Sequence, residues 1–554
     1  MDLTRREALA SLAALAAAPA AAQGGGAADT VTARGTVFED VAATGVRGAN
    51  APGVPGVMVS NGRDVVVTDA DGGWSLPLRD GDAVFVVKPS GWAVPLELGT
   101  QLPKVSYLYA PLGSPRLGFR FPGLEPSGPL PDSIDFPLRR ADEPGDFTAL
   151  LMTDPQPESL VELGYVRDDV MARLGNVPGA RFGITLGDVM FDDLAYYPRH
   201  NRIVGALGLP WWNLPGNHDM NLEAPDNALS RETFKRVFGA RHAAFQHGGT
   251  TVFLLDNVEY LGGGKYQGRF GPEQLGFVRG VLAHVPQDAL VLLCFHIPLR
   301  TQAGDAPDLA NTDTRDFLAA IASHANTASF SGHTHTNEHW YFGDEDGYAA
   351  GAVHHHHVLS AASGSWWSGP ADLRGIPAAL ATDGSPNGFH VLQVAGGRYA
   401  TRLIPAHEPL GGDGGPAAMR IMLETQVHGG SPEVMAEYPA GALLRSPVAA
   451  EAVGEALVVV NLFEGGPRSE VQMRVGGGQW RPMRKATRKD PFVQAVYARA
   501  GAAVKPWVKP GDSTHVWELP LPAALDPGAY KLAVRALDEH GRQATDEMMI
   551  EVTG

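Results

Sequence analysis

The sequence predicts a layered α/β core carried between two all-β sandwich domains, on three observations. From Val31 to about Leu112 it reads as short strands broken by Gly, Asp and Asn turns. From Phe147 to about Pro405 apolar strands alternate with helical stretches, and after Gly411 the β pattern returns. Alternation of strand and helix argues a layered α/β domain, and evenly spaced short strands with turn signals argue sandwiches. A chain of 554 residues is too long for one core and fits roughly three domains.

The first residues, MDLTRREALASLAALAAAPAAAQ, set Arg5 and Arg6 before an Ala/Leu stretch and a small-residue site near Ala20 to Ala22. That pattern predicts a signal peptide over residues 1–22, of twin-arginine type, with Ala8 where Phe or Leu is usual. A periplasmic or secreted protein follows. The stretch is too short and Ala-rich for a membrane span, and no later segment is apolar over enough residues.

Residues 31–112 are expected to form the N-terminal sandwich, since GVPGVMVSNG, VVVTDADGGWSL and DAVFVVKPSG alternate apolar and polar residues. This segment is similar to carboxypeptidase-regulatory-like β-sandwich domains. Asp69, Asp71 and Gly72 read as a hairpin turn, because the further ligands of a calcium loop are absent. Residues 113–146, rich in Pro, Gly and Asp, read as a linker. In 147–405 the strands FTALLMTD, RFGITLGD, WWNLPGNHD, TTVFLLDN, ALVLLCFH and TASFSGHTH are separated by helical stretches such as SLVELGYVRDDVMARL and GPEQLGFVRGVLAHV. Residues 412–554 read as a second sandwich, from MRIMLETQV to the last strand EMMIEV.

A net charge of −17 argues against a nucleic-acid-binding surface or an anionic-membrane footprint. It permits a small phosphorylated substrate, because bound cations offset charge locally. The one cysteine, Cys294, allows no intrachain disulfide and no cysteine zinc cluster, and its apolar setting in VLLCFH predicts a buried, inert thiol.

Five short motifs end successive strands: Asp154-Pro155-Gln156; Gly187-Asp188, with Asp192 and Asp193 after it; Gly216-Asn217-His218-Asp219; His296; and Gly332-His333-Thr334-His335. Each alone is ordinary turn chemistry. Together they bring carboxylate, amide and imidazole donors to the strand-end rim where open α/β sheets bind ligands, and such donors suit hard and borderline divalent ions. Glycines before Asp188, Asn217 and His333 permit turns that aim donors inward. Two such ions about 3.5–4 Å apart hold a bridging hydroxide and clamp a phosphoryl group.

The set DPQ…GD…GNHD…H…GHTH resembles the calcineurin-like metallophosphoesterase family over roughly residues 147–405. The flanking sandwiches, with GSWW and DGSPNG late in the core, resemble a bacterial subgroup carrying N- and C-terminal β domains. The resemblance implies a four-layer α/β/β/α core and two divalent metal ions. It implies that Asp188 bridges them, that Asp154, Gln156 and His335 complete the first site, and that Asn217, His296 and His333 complete the second. His218 would face the phosphoryl oxygens, oriented by Asp219. The activity implied is hydrolysis of phosphate mono- or diesters by a metal-bridging hydroxide, without a covalent intermediate. The alternative is a non-catalytic extracytoplasmic binding protein that keeps the fold, but the intact donor set argues against it.

One position departs from the family's usual Asp-x-His: Gln156 replaces the histidine. A neutral amide oxygen is a harder donor than imidazole, which favours Mn²⁺ or Fe²⁺ and leaves Zn²⁺ or Mg²⁺ open, as it leaves open a Gln156 that does not coordinate. Trp366 and Trp367 are either a core pair or a substrate-side platform. In the run His354 to His357 alternate rings must face opposite sides of a strand. His339 has no assigned role.

Overall fold

The computed structural model describes residues 30–406, 417–426 and 442–554; the expected signal peptide lies outside them. Eight short strands come first: β1 (Val31–Glu39), β2 (Met58–Ser60), β3 (Val65–Val67), β4 (Gly73–Leu78), β5 (Asp82–Val86), β6 (Trp92–Ala93), β7 (Ser106–Tyr109) and β8 (Phe136–Arg140). They form two sheets of order β4-β1-β8-β6 and β3-β2-β5-β7. In β4 the period-two pattern turns Trp74, Leu76 and Leu78 inward. The Asp69 carboxylate accepts from the N–H groups of Asp71 (2.9 Å) and Gly73 (2.7 Å), the hairpin-turn chemistry expected there. Inside the stretch expected as a linker, β8 pairs parallel with β1, because Phe136 and Leu138 alternate inward within an otherwise Pro- and Gly-rich segment.

The core continues with β9 (Phe147–Met152), β10 (Ala180–Leu186), β11 (Trp211–Leu214), β12 (Ala243–His247), β13 (Thr250–Leu254), the hairpin β14 (Val258–Gly262) and β15 (Lys265–Gly268), β16 (Val291–Cys294), β17 (Thr327–Ser331), β18 (Glu338–Phe342), β19 (His354–Val358), β20 (Gly388–Ala395) and β21 (Arg398–Pro405). Two mixed sheets result, ordered β11-β10-β9-β20-β21 and β12-β13-β16-β17-β19-β18. Strands β9 to β11 are mutually parallel, as are β13, β16, β17 and β19; antiparallel strands complete the edges.

The sheets share one apolar cluster, in which Leu151, Ile184 and Leu186 lie with Leu254, Leu292, Cys294 and Phe330. The other face of β9 carries Leu150 and Met152, which pack with Val166, Val170 and Leu174 of a helical segment. That segment begins at Leu160–Tyr165 and passes through a π-helical turn, Val166–Met171; the Ser159 side chain caps it by accepting from Glu162 N–H (3.2 Å). On the second sheet Phe253, Val291 and Leu293 pack with Phe277 and Val278 of helix Gly271–Leu282 and with Phe317 and Leu318 of helix Thr314–Ile321. Strands buried on both faces explain the nearly unbroken apolar runs in the sequence. Cys294 is buried among them, and burial raises its thiol pKa.

The remaining strands are β22 (Met419–Thr425), β23 (Val448–Ala449), β24 (Ala456–Leu462), β25 (Glu470–Val475), β26 (Arg481–Pro482), β27 (Arg484–Lys489), β28 (Asp512–Pro520), β29 (Gly528–Leu537) and β30 (Gln543–Thr553). Their two sheets, β22-β24-β28-β27 and β23-β30-β29-β25-β26, enclose Val458, Val460, Leu532, Val534 and Ile550. This unit is tied to the core by polar contacts: His515 Nε2 lies 2.9 Å from Asp383, and Lys505 Nζ lies 2.7 Å from Glu158. Among the described residues no helix is long and apolar enough to cross a membrane.

Candidate metal centre

The parallel strands β9, β10, β11, β16 and β17 deliver all five motifs to one rim. The backbone there is unusual. Asp154, Gln156, Asp188, Asp192, His333, His335, Trp366 and Trp367 all hold positive φ, against Ala43, Gln101 and Ala379 elsewhere in the described chain. Each such non-glycine residue costs about 1–3 kcal/mol and persists where surrounding structure over-determines it. The strain is therefore concentrated on the donors.

Asp188 is fully buried and central. Its Oδ1 accepts from His218 N–H (2.8 Å), and its Oδ2 lies 3.2 Å from His296 Nε2 and also meets the Gln156 amide. Asp154 Oδ2 accepts from His333 N–H (3.0 Å) and from Thr153 Oγ1. Its Oδ1 lies 3.5 Å from His335 Nε2 and 3.4 Å from Gln156 Nε2. Asn217 Oδ1 is 3.1 Å from His296 Nε2. Asp188, His296 and His333 each offer one donor atom, all within 4.8 Å of one another. The seven expected ligands thus converge, with Asp188 common to a group of Asp154, Gln156 and His335 and a group of Asn217, His296 and His333.

The donor set fits divalent cations. Three histidines are each held at one ring nitrogen by a backbone carbonyl: His296 Nδ1 by Leu186 (2.9 Å), His333 Nε2 by Asp308 (2.7 Å) and His335 Nδ1 by Gly364. Such bonds fix the tautomer and leave the other nitrogen for a metal. His335 Nε2 and Gln156 Oε1 are buried without a hydrogen-bond partner. The ion pairs of Asp154 and Asp188 among the described residues are with histidines. Burial disfavours charge on His296, but Asp188 and Asp154 overcome it and raise its pKa to about 9. Burial, reinforced by His296, lowers His333 to about 4.

Two glycines serve a purpose that the sequence reading misplaced. At Gly216 and Gly332 the requirement is close approach rather than a turn. A Cβ on Gly216 would collide with Asp188 Oδ1, and one on Gly332 with Thr153 Oγ1 and Asp154 Oδ2.

Residues 41–109 match the family model described as the N terminal of Calcineurin-like phosphoesterase, and residues 356–543 match the C terminal of Calcineurin-like phosphoesterase. The two flanking regions thus match models of the family that the strand-end motifs resemble. The seven converging donors lie between the two matched segments. No curated protein matches it. Thirteen chains of solved structure do. One is a purple acid phosphatase from yellow lupin (Lupinus luteus) seeds, 11% identical over 68% of this chain and 67% of that one, with a TM-score of 0.34.

His218 stands beside the donors, with Nε2 3.9 Å from Asp188 Oδ2. The partner expected to orient it is corrected. Asp192 Oδ1 lies 2.8 Å from His218 Nδ1. Asp219 instead accepts from Gly216 N–H (2.9 Å), Val189 N–H (3.1 Å) and Tyr197 Oη–H (2.7 Å), so it clamps the two donor loops together. Burial and the nearby Asp188 charge raise Asp219 to about 6. Asp193 caps the turn Leu194–Tyr196 by accepting from Ala195 N–H (3.3 Å).

The tryptophans also part company. Trp366 stacks on His335, centroids 4.0 Å apart, at the donor side. Trp367 is buried, packs on Tyr165 and donates Nε1–H to the Pro155 carbonyl (2.9 Å), so it supports the first motif from below and cannot face a substrate. Consecutive positive φ values at 366 and 367 send neighbouring rings to different surroundings.

Three residues at the mouth escaped the sequence reading. Phe191 stacks on His218 at 4.4 Å, and Trp507 lies parallel to Phe191 at 6.3 Å. Lys505 Nζ lies 5.8 Å from both ring centroids. Trp507 is 43% exposed, in KPWVKP, and only the three-dimensional fold brings that segment to the rim.

Proposed function

We propose that this chain is an exported, dinuclear-metal hydrolase of phosphate mono- or diesters. One observation carries the reading: the buried carboxylate of Asp188 meets both donor groups at once, its Oδ2 contacting Gln156 of one and His296 of the other. A shared carboxylate between two sets of donors is what a two-ion site needs. We read the two sheets and their outer helices as the four-layer α/β/β/α arrangement, spanning residues 147–405 between sandwiches at 31–112 and 412–554. Export rests on the Arg5-Arg6 signal pattern over residues 1–22.

Held by Asp154, Gln156, Asp188, Asn217, His296, His333 and His335, two divalent ions would supply an activated water as nucleophile and draw charge from the phosphoryl oxygens. The chain's own groups do the rest. Asp154 and Asp188 hold the cations by charge. Asp192 accepts from His218 Nδ1 and stabilises the imidazolium, whose Nε2–H donates to a phosphoryl or leaving-group oxygen. Phe191 restricts rotation of that ring by stacking. Trp507 presents an apolar plane to the part of a small phosphorylated substrate outside the metals. Gln156, as a neutral oxygen donor, favours Mn²⁺ or Fe²⁺ at the first site, with Zn²⁺ or Mg²⁺ weaker there.

The test uses chelator-stripped protein reloaded with Mn²⁺, Fe²⁺, Zn²⁺ or Mg²⁺, with metal content measured alongside turnover of chromogenic phosphomonoester and phosphodiester substrates. At least two equivalents of metal and turnover restored best by Mn²⁺ or Fe²⁺ are expected. Failure of every metal to restore turnover would remove the hydrolase reading and leave a binding protein.

A further inference from the structure

We propose that His339, His355 and His357 form a separate metal site that takes one ion of the Zn²⁺ class, joining β18 and β19 at the junction with β21 and the β29–β30 turn. The histidine run of β19 has two faces with opposite fates. On one, His354 bonds Thr327 Oγ1 (2.7 Å) and Ser329 Oγ (2.8 Å), and His356 bonds Ser329 Oγ (2.8 Å) and receives Leu299 N–H (3.2 Å). All four of their ring nitrogens are occupied.

On the other face the rings of His355 and His357 lie 3.8 Å apart, and His339 reaches them from β18, where it is the cross-strand partner of His357. The three rings each offer one nitrogen, all within 4.8 Å of one another. Tyr399 Oη contacts His355 Nδ1 (2.8 Å) and His357 Nε2 (3.0 Å). With both nitrogens donating to the phenol, lone pairs remain at His355 Nε2 and His357 Nδ1. His355 Nε2 lies 3.0 Å from His339 Nδ1, close to the roughly 3.3 Å between two nitrogens on one tetrahedral Zn²⁺ with bonds of about 2.0–2.1 Å. His357 Nδ1 is buried with no hydrogen-bond partner.

An orphaned nitrogen in a buried histidine cluster is costly without a partner, and a metal supplies one to His357 Nδ1. Burial holds all three imidazoles neutral near pH 7, the form that ligates. An imidazole set without carboxylate suits Zn²⁺ over Mn²⁺ or Mg²⁺. His540, on the β29–β30 turn, lies parallel to His357 at 5.8 Å and closes the cluster from the C-terminal sheets.

The experiment is metal stoichiometry on the full chain. Chelator-stripped wild type, His339→Ala and His357→Ala are equilibrated with Zn²⁺, desalted and assayed for bound metal. Each variant should bind one equivalent less than wild type, with phosphoesterase activity within twofold of it. The readout is a difference, so it holds whatever number of ions the strand-end rim takes and whether or not the phosphoesterase reading survives. Equal stoichiometry in wild type and both variants overturns the site. Should an alanine variant fail to fold, anomalous scattering from Zn²⁺-equilibrated wild-type crystals decides: a peak among the three rings supports the site, and its absence overturns it.

Discussion

The strand-end rim and the histidine face of β19 are both built from buried imidazoles, and the chain assembles them by opposite means. At the rim, donors arrive from five separate strand ends, and Asp154, Gln156, Asp188, His333 and His335 sit in left-handed backbone to do so. In β18 and β19 no residue has positive φ, and the rings meet through regular cross-strand register. The difference teaches what each arrangement is suited to. Converging mixed donors on one rim takes backbone conformations that a regular element does not offer. A strand supplies rings only at fixed two-residue spacing, enough to hold one ion or to pair with hydroxyls.

The rim should break first and hardest at its shared carboxylate. Asp188→Asn removes a unit charge beside two cations, worth about 4 kcal/mol at 4 Å and an effective ε of 20, or about 10³-fold in rate. Turnover should fall by at least that factor with the circular dichroism spectrum unchanged. A variant keeping a tenth of wild-type rate with both metals bound would contradict the bridging role.

Next comes the histidine outside the donor set. His218→Ala should lower kcat by about 10²-fold or more, within the range for a positioned acid, while metal content stays at wild-type level. The companion variant Asp192→Asn should lose roughly tenfold and move the alkaline limb of the kcat–pH profile to lower pH, because His218 then loses the charge that favours its protonated form. An unchanged profile in Asp192→Asn would return the orienting role to another group.

Much of the rim was legible because each donor follows a strand and a short polar motif, a pattern that survives in one dimension. The partner of His218 was not. Asp219 is adjacent in sequence, but Asp192 reaches the ring through a left-handed turn after β10, and nothing in GDVMFDD marks which aspartate turns inward. Trp366 and Trp367 were indistinguishable for the same reason. Lys505 and Trp507 come from a segment more than 280 residues beyond His218, so only tertiary packing brings them to the mouth. In the fold, alternating strands and helices were readable, whereas the pairing of β8 with β1 was hidden by its Pro- and Gly-rich surroundings. The alternation of the histidine run was predictable from the pleat; the hydroxyls of β17 that satisfy one face and not the other were not.

A smaller effect separates the two donor groups within the rim. Gln156→His restores the family's usual imidazole and should swing reconstitution toward Zn²⁺, with Mn²⁺-supported turnover changing by less than about tenfold. Loading with equimolar mixed metals, followed by metal analysis, reads the preference directly. An unaltered preference would mean that the residue at 156 does not coordinate.

The smallest catalytic effect belongs on the satisfied face of β19. Ser329 Oγ lies 2.8 Å from both His354 Nε2 and His356 Nδ1, inside the layer between the second sheet and its helices. Ser329→Ala removes a hydroxyl of little volume and leaves two buried ring nitrogens short of a partner, a cost of about 2 kcal/mol. For a core of this size that is a fall in Tm of about 4–8 °C. Turnover and metal content should not change, since these rings face away from the rim and from His339, His355 and His357. A loss of metal in Ser329→Ala would show that the two faces of the strand are coupled, and the contrast between strained donors at the rim and a passive ladder in the strand would then fail.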